Sequence, residues 1–543
     1  MTTTTARRDR RAWGGRLSRL PIFWSAWSIL FVLMALWSVA TPLMASPDEP
    51  AHVIRAAAVV RGEFVGNPST RVPGSTDVTV PKYVADANNY PACYAFRSEV
   101  SARCEPWPSH DDREVSSTTT ATLNSPVFYA LTGLPSLVLD GAPALYAMRL
   151  VVALITSGLL AIAFAALSGF ASRRFATIGM ALGVTPMVLF LGGTVNPNAV
   201  EAAGAAGALA TLLLIFRTDS PGRILWTRLT MLVVSIFFLC NTRSISLAWL
   251  LVITAVAVLM SQWRIFLAVF RRPASWVAVG LIAIIVATVG VYFIIPKGLT
   301  QVANATGIGS GATDAFLTVL DRTFDYGAGW VGIFGWLDTP PPGALPIIWS
   351  VLLGGLILCA VVLARGRLRL GLIAWLVVFF LVPPITQAGL VHEWGYVWQG
   401  RYTLALFVGL GIIAGVALDE RFPEIDFAPY RRLLITGIVL GGFGQVLAFA
   451  WALKRYVVGI AFQQSWYDML VRPQWEPPLH WLVLTVLFAA AIAVAGWALY
   501  SDVTGLDRVR PAAALRSPER ASSEPVDADP ITDPTRATAE RRG

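Results

Sequence analysis

Several ionisable residues lie in one short stretch of the chain, Ser46-Pro-Asp-Glu-Pro-Ala-His-Val-Ile-Arg55. Proline is favourable at the first position of a helix, so the sequence predicts a helix that begins at Pro50. Asp48, His52 and Arg55 would then lie on one helical face, because their spacing brings them one above the other. A carboxylate in this position could act as a general base, and the neighbouring cation could hold an anionic substrate.

Both carboxylates of this stretch, Asp48 and Glu49, are candidates for the catalytic base. Asp48 is favoured because it shares a helical face with His52, and Glu49 could instead cap the helix, since acidic residues at a helix N-terminus accept its free amides. Asp48, Glu49 and His52 could also bind a divalent metal ion together. We expect no cofactor, with the metal as the alternative.

Three arginines lie where the sequence predicts the outer ends of membrane spans: Arg149, Arg243 and Arg401. Basic residues are under-represented on that side of a membrane, and a charged group near membrane depth usually faces a cavity or a partner. Guanidinium groups match the geometry of phosphate, so one interpretation is a shared anionic ligand, and the other is contact with ordinary lipid head groups. Asn198, at another span end, could hydrogen-bond a polar substrate or cap a helix.

The elements that position these residues are membrane spans. Hydrophobic residues make up 55% of the chain and charged residues only 14%, against about 25% charged in ordinary globular proteins. Apolar windows of roughly 20 residues, enough to cross a hydrocarbon core, recur about twelve times from 22–43 to 479–500. The weakest of them is 226–241. The sequence therefore predicts an all-α polytopic membrane protein, and the net charge of +9 is attributed to basic cytoplasmic loops with no nucleic-acid partner.

Basic residues also predict the orientation of the chain in the plasma membrane. Arginine-rich loops alternate with loops that are nearly free of basic residues, and by the positive-inside rule both termini are cytoplasmic. We divide the chain into a basic N-terminus (1–20), a transmembrane domain (21–500) and a tail (501–543) whose composition predicts disorder. Two large loops, 44–144 and 296–345, are then extracytoplasmic, and the first is much the larger.

The cysteines fall into two groups by their surroundings. Cys93 and Cys104 share the first extracytoplasmic loop, and in an oxidising compartment they are candidates for a disulfide. Cys240 and Cys359 lie inside apolar spans, where we expect them to pack as small hydrophobic side chains.

Three motifs resemble the polytopic membrane family catalogued as domain of unknown function 2142: Pro47-Asp48-Glu49-Pro50-Ala51-His52 with Arg55, Gly335-Trp336-Leu337-Asp338, and Gln399-Gly400-Arg401-Tyr402. The resemblance spans about residues 20–500. That family is in turn similar to the GT-C glycosyltransferases, which use lipid-phosphate sugars outside the membrane and whose catalytic base is an acidic residue of the first outer loop. Asn198 stands where the pattern has Asp. Asn241-Thr242-Arg243 stands where it has Lys, although Arg243 keeps the charge.

The resemblance implies a GT-C-like membrane glycosyltransferase. It would transfer a sugar from a polyprenyl-phosphate donor to a glycan or lipid acceptor of the cell envelope, with membrane lipids around it. The implied base is Asp48 or Glu49, and the implied substrate-binding residues are His52, Arg55, Arg149, Asn198, Arg243, Arg401 and Tyr402. The alternatives are a transporter or flippase of a lipid-linked saccharide and an inactive scaffold of the same fold.

Overall fold

A computed structural model describes residues 21–294 and 307–514 of the chain. Within these residues, ten helices are long and apolar enough to cross a membrane, and two bent helix pairs bring the number to at most twelve. The prediction of an all-α polytopic membrane protein with about twelve spans is confirmed.

The first half of the chain contains the helices α1 (Ile22–Ala40), α2 (Glu49–Val59), α3 (Lys82–Ala85), α4 (Pro126–Gly133), α5 (Gly141–Leu167), α6 (Arg174–Gly183), α7 (Pro186–Gly192), α8 (Pro197–Arg217), α9 (Arg223–Cys240), α10 (Ser246–Leu259), α11 (Trp263–Phe270) and α12 (Pro273–Ile294). The second half contains α13 (Ala312–Asp321), α14 (Gly327–Val331), α15 (Ala344–Trp349), α16 (Gly355–Leu363), α17 (Gly366–Trp394), α18 (Leu404–Arg421), α19 (Arg431–Val457), α20 (Trp466–Val471) and α21 (Trp481–Ala514). A π-helical turn joins α15 to α16 as one span, Ala344–Leu363.

Two helix pairs are bent where the chain crosses the apolar region, and the first of them breaks the predicted span 175–194. The first consists of α6 and α7, which meet at an angle of 61°. Pro186 begins α7, and the Thr185 side chain caps that helix by accepting a hydrogen bond from the Val188 amide, so the chain makes a new helix start where one continuous span was expected. In the second pair, α10 matches the predicted span 244–260, and α11 follows it after a bend of 120°. The weakest predicted span, 226–241, is the unbroken helix α9.

Helices α8 and α18 form the centre of the bundle and are almost wholly buried. Helix α8 packs against α5, α9 and α18, and its many alanines and glycines let neighbouring backbones approach closely. Helix α18 also packs closely against α6. A Cβ atom on Gly179 would lie only 2.0 Å from the carbonyl oxygen of Gly411. Asn198 lies in the first turn of α8 and Arg401 directly precedes α18, so this rigid pair positions two of the predicted site residues.

The first loop, 41–140, carries the helix α2 and a small antiparallel sheet. The strands are β1 (Asn67–Pro68), β2 (Thr76–Pro81) and β3 (Glu114–Thr119), in the order β1-β2-β3. A disulfide joins Cys93 to Cys104, with the two Cα atoms 6.1 Å apart. Both β2 and β3 contact α2, so the sheet is fixed to the helix that follows Asp48.

Arg455, near the end of α19, fastens the first loop to the segment that precedes α15. Its buried guanidinium pairs with Asp338 at 2.8 Å. It also donates hydrogen bonds to the carbonyl oxygens of Tyr94, Arg97 and Val100. The Gly335–Asp338 motif is therefore part of the packing between loops.

The last helix, α21, continues to Ala514, beyond residue 500, where the sequence predicts the tail to begin. The basic N-terminus, 1–20, and the rest of the tail, 515–543, lie outside the described residues.

Candidate functional site

Asp48 lies between α1 and α2 in a left-handed backbone conformation, with φ 63° and ψ 3°. Residues other than glycine rarely adopt this conformation, and it is often found at functional sites. The Asp48 side chain makes no capping hydrogen bond to α2 and is 51% exposed. The backbone therefore turns this carboxylate outward, where its Oδ2 atom lies 2.5 Å from Nη2 of Arg401.

Arg401 approaches Asp48 from the 3-10 turn Gly400–Thr403 that precedes α18. Gly400 allows this turn to pack on α14, since a Cβ atom there would lie 2.2 Å from the carbonyl oxygen of Tyr326. The Arg401 side chain is only 1% exposed. Among the described residues, its buried Nε atom has no hydrogen-bond partner.

Arg243, after α9, shares an aromatic neighbour with Arg401. Its guanidinium carbon lies 4.1 Å from the centroid of the Tyr402 ring, and that of Arg401 lies 5.4 Å from it, both within the range of cation–π attraction. Asn198 accepts a hydrogen bond of 2.8 Å from Arg243, whose side chain remains 20% exposed. The structure thus brings together Asp48, Arg401, Tyr402, Arg243 and Asn198, from four separate parts of the chain.

The charges in this site act on Asp48 and His52 in different ways. Partial burial tends to raise the pKa of Asp48, but the nearby charges of Arg401 and Arg243 outweigh it and hold that pKa below its ordinary value. Burial lowers the pKa of His52 to about 4, so this imidazole is neutral at pH 7. Its Nδ1 atom lies 2.9 Å from the Tyr129 hydroxyl, which fixes the ring instead of leaving it free to bind an anion.

Glu49 and Arg149 form a buried ion pair away from the exposed carboxylate. The two carboxylate oxygens of Glu49 accept hydrogen bonds of 2.7 Å from Nε and Nη2 of Arg149, and Oε1 also accepts one from the Val195 amide. The remaining Arg149 donors bind the carbonyl oxygens of Ser38, Thr41 and Pro42. Both side chains are fully engaged inside the protein, so the geometry gives them a positioning role where the sequence predicted a base and a ligand for substrate.

The carboxylates of Glu49 and Asp48 have different partners, since Glu49 pairs with Arg149 and Asp48 with Arg401. In residues 21–294 and 307–514, no three His, Cys, Asp or Glu side chains are grouped as ligands for a metal ion.

Arg55 also has a positioning role in this geometry. Its guanidinium donates to the carbonyl oxygens of Glu63 and Phe64 and to the Tyr292 hydroxyl, so it joins the end of α2 to the end of α12. Tyr129, which holds His52, was not predicted from the sequence. It lies in a short apolar helix, and no spacing pattern connects it to the Asp48 stretch.

The family model for a predicted membrane protein, DUF2142, matches residues 31–410, and this range includes all three motifs. The chain belongs to the DUF2142 family. The resemblance seen in the motifs is thereby confirmed.

No curated protein matches the chain. Among solved structures, the DUF2142 chain is similar to ArnT from Cupriavidus metallidurans bound to undecaprenyl phosphate, with 16% identity over 90% of this chain and 79% of that one and a TM-score of 0.41. For ArnT in the apo state the values are 15%, 90% and 78%, with a TM-score of 0.42.

Proposed function

We propose that this protein is a GT-C-like integral membrane glycosyltransferase. It transfers a sugar from a polyprenyl-phosphate donor to the hydroxyl group of a cell-envelope acceptor on the outer side of the membrane. The observation that carries the proposal is the half-exposed Asp48 carboxylate beside two arginines that share Tyr402. This arrangement supplies a base and a pair of anion-binding groups in one place.

The donor phosphate binds to Arg401 and Arg243 in this mechanism. The exposed part of Arg243 can donate charge-assisted hydrogen bonds to phosphate oxygens, for which guanidinium geometry is well suited, and the buried positive charge of Arg401 adds to the attraction. The site lies at the ends of spans, the depth at which a lipid phosphate is anchored. During transfer the phosphate leaves with the electron pair of the glycosidic bond, and the two arginines stabilise the negative charge that develops.

Asp48 accepts the proton of the acceptor hydroxyl while that oxygen attacks the anomeric carbon. Without donor, the charge of Arg401 lowers the pKa of Asp48, which makes the carboxylate a weak base. A phosphate on Arg401 offsets that positive charge and raises the pKa of Asp48, so donor binding strengthens the base. General-base catalysis of this kind typically contributes 10²–10⁴-fold.

The proposal is tested first by mass spectrometry of cell-envelope glycans with and without the gene, and then by a transfer assay on the full chain. We expect Asp48→Asn to insert normally and to lose about 10²–10⁴-fold in transfer rate. Arg401→Gln should weaken donor binding by about 10–150-fold, the equivalent of 1.5–3 kcal/mol for charge-assisted hydrogen bonds. The matched control is Asp111→Asn, in the same loop and paired only with Arg113 in the described residues.

Wild-type transfer by Asp48→Asn would leave the proposed mechanism without its base. Translocation of a lipid-linked saccharide without any transfer would favour the transporter or flippase instead.

A further inference from the structure

A polar groove of about 400 Å³ lies in the first loop, beyond the C-terminal end of α2. One wall is the turn that follows α2, and the other is formed by strands β2 and β3. The side chains that matter to its chemistry are Glu63, Phe64, Asn67, Asp77, Thr79 and Ser116.

Backbone contacts keep the two walls of the groove at a fixed separation. Gly66 adopts φ +74°, and a Cβ atom there would lie 2.8 Å from the carbonyl oxygen of Asp77, so only glycine lets the chain run this close to β2. Strand β1 pairs with β2 only as far as Asp77. Beyond that point both carboxylate oxygens of Glu63 accept the Thr79 amide hydrogen bond at 3.1 Å, which holds the turn to the strand.

The exposed groups of the groove have the composition of a saccharide site. The Phe64 side chain is 54% exposed, and an aromatic ring can cover the apolar C–H face of a sugar. In the part of the chain that the structure describes, the exposed Asn67 amide has no hydrogen-bond partner. The exposed Arg71 lies 3.4 Å from the Asp77 carboxylate and donates a hydrogen bond of 3.2 Å to the Ser116 hydroxyl. These planar amide and carboxylate groups can bind sugar hydroxyls. Because Arg71 compensates Asp77, the net negative charge of the groove comes from Glu63, and it disfavours an anionic polymer.

The groove is connected to the catalytic site by α2. Arg55 donates hydrogen bonds to the carbonyl oxygens of Glu63 and Phe64, so the groove wall is attached to the last turns of this helix, and Asp48 lies at its other end. The helix has 11 residues, or about 16 Å at 1.5 Å per residue. Strand β3 bridges the same interval, because Ser116 lines the groove while Thr119 donates a hydrogen bond of 2.7 Å to the Ala51 carbonyl.

We infer that this groove binds the distal part of an acceptor glycan, a hydroxyl-rich saccharide without negative charge whose growing end reaches Asp48. The inference rests on the proposed function in that it treats the saccharide as the acceptor of the transfer reaction. Binding of saccharide by the groove can nevertheless be measured without transfer. A separation of about 16 Å means that the acceptor is several sugars long.

The test is binding of the purified full chain in detergent to immobilised oligosaccharides of about four to six sugars, in a neutral set and an acidic set. We expect the wild type to retain neutral and not acidic saccharides, and both Phe64→Ala and Asp77→Asn to weaken retention at least about tenfold. The matched control is Trp107→Ala, which removes an aromatic side chain that is 69% exposed in the same loop but outside the groove; its binding should equal that of the wild type. Equal melting temperatures verify that all variants are folded.

The inference is overturned if the wild type retains no neutral saccharide, if Phe64→Ala binds as tightly as Trp107→Ala, or if acidic saccharides are preferred. Capture of an extended peptide on the free edge of β2, in competition with saccharide, would also overturn it. Asp48→Asn separates the two proposals, because it should lower the transfer rate about 10²–10⁴-fold and leave saccharide binding by the groove unchanged. Binding without any transfer would refute the proposed function alone, and transfer that is insensitive to Phe64→Ala and Asp77→Asn would refute the groove alone.

Discussion

Replacement of Glu49 by Gln should damage folding rather than chemistry. The substitution keeps the shape of the side chain but removes the negative charge that faces Arg149 inside the protein. Its new amide group also replaces one of the two oxygens that accept from Arg149, and in either orientation its donor hydrogens face that arginine, which is itself a donor. Breaking a buried ion pair by removing one partner costs about 3–5 kcal/mol, a factor of about 10²–10³·⁵ in the folding equilibrium.

Removing Arg149 as well should not rescue the Glu49→Gln protein. Arg149→Met removes the unpaired charge, but it also takes a hydrogen-bond donor from three buried carbonyl groups, those of Ser38, Thr41 and Pro42. Each unsatisfied buried group costs about 1–3 kcal/mol. The double variant is therefore expected to be no more stable than Glu49→Gln.

The assay is thermal unfolding of each variant in one detergent, monitored by the monodisperse fraction in size-exclusion chromatography. Asp48→Asn is the comparison, because the half-exposed Asn keeps an oxygen acceptor for Arg401 and should cost only about 1 kcal/mol. A Glu49→Gln protein as stable as the wild type but inactive in transfer would refute the reasoning, since Glu49 would then be the base and its ion pair would not hold the fold.

Three further outcomes are expected. Cysteines introduced singly at Ser109 and Asp219, both exposed, should react with membrane-impermeant reagents from opposite sides, outside and cytoplasmic respectively; labelling from one side would refute the predicted topology. Peptide mapping without reductant should recover Cys93 linked to Cys104, a closure of about 12 residues worth roughly 3 kcal/mol in the chain-entropy model, and two free thiols in correctly inserted protein would contradict it. Arg401 and Arg243 hold the pKa of Asp48 below its ordinary value in the protein without donor, so the acid limit of kcat/KM, which reports the free enzyme, should lie at a lower pH than for an ordinary aspartate. Loss of its partner Arg401 should move that acid limit to higher pH. An unchanged acid limit would argue against Asp48 as the titrating group.

The spans could be predicted from the sequence because a continuous apolar window is a local property. The break between α6 and α7 has a local signal as well, because Pro186 begins α7. Hydropathy alone nevertheless predicts one continuous span over both helices. The position and length of an apolar window therefore predict where the chain enters the membrane but not how it bends inside it.

The site was predictable in its residue types and less so in their roles. Arg243 and Arg401 were expected to approach one ligand, and they do contact one ring, Tyr402. The different roles of Asp48 and Glu49 could be predicted only in part. They depend on Arg149, which reaches the Glu49 carboxylate from a helix 100 residues away along the chain. A buried partner that distant in sequence leaves no spacing pattern, which is also why Tyr129 was missed.

The hydrogen bonds of Arg455 to the first loop can form only late in the synthesis of the protein. Its carbonyl partner Val100 lies 355 residues earlier in the chain, so at a synthesis rate of about 5–20 residues per second the first loop is synthesised about 20–70 s before Arg455. During that interval the disulfide from Cys93 to Cys104 is able to close the very segment that supplies the three carbonyl groups. The loop thus folds in two stages: the disulfide forms early, and the contacts with Arg455 form late. A first loop expressed by itself would complete only the disulfide stage.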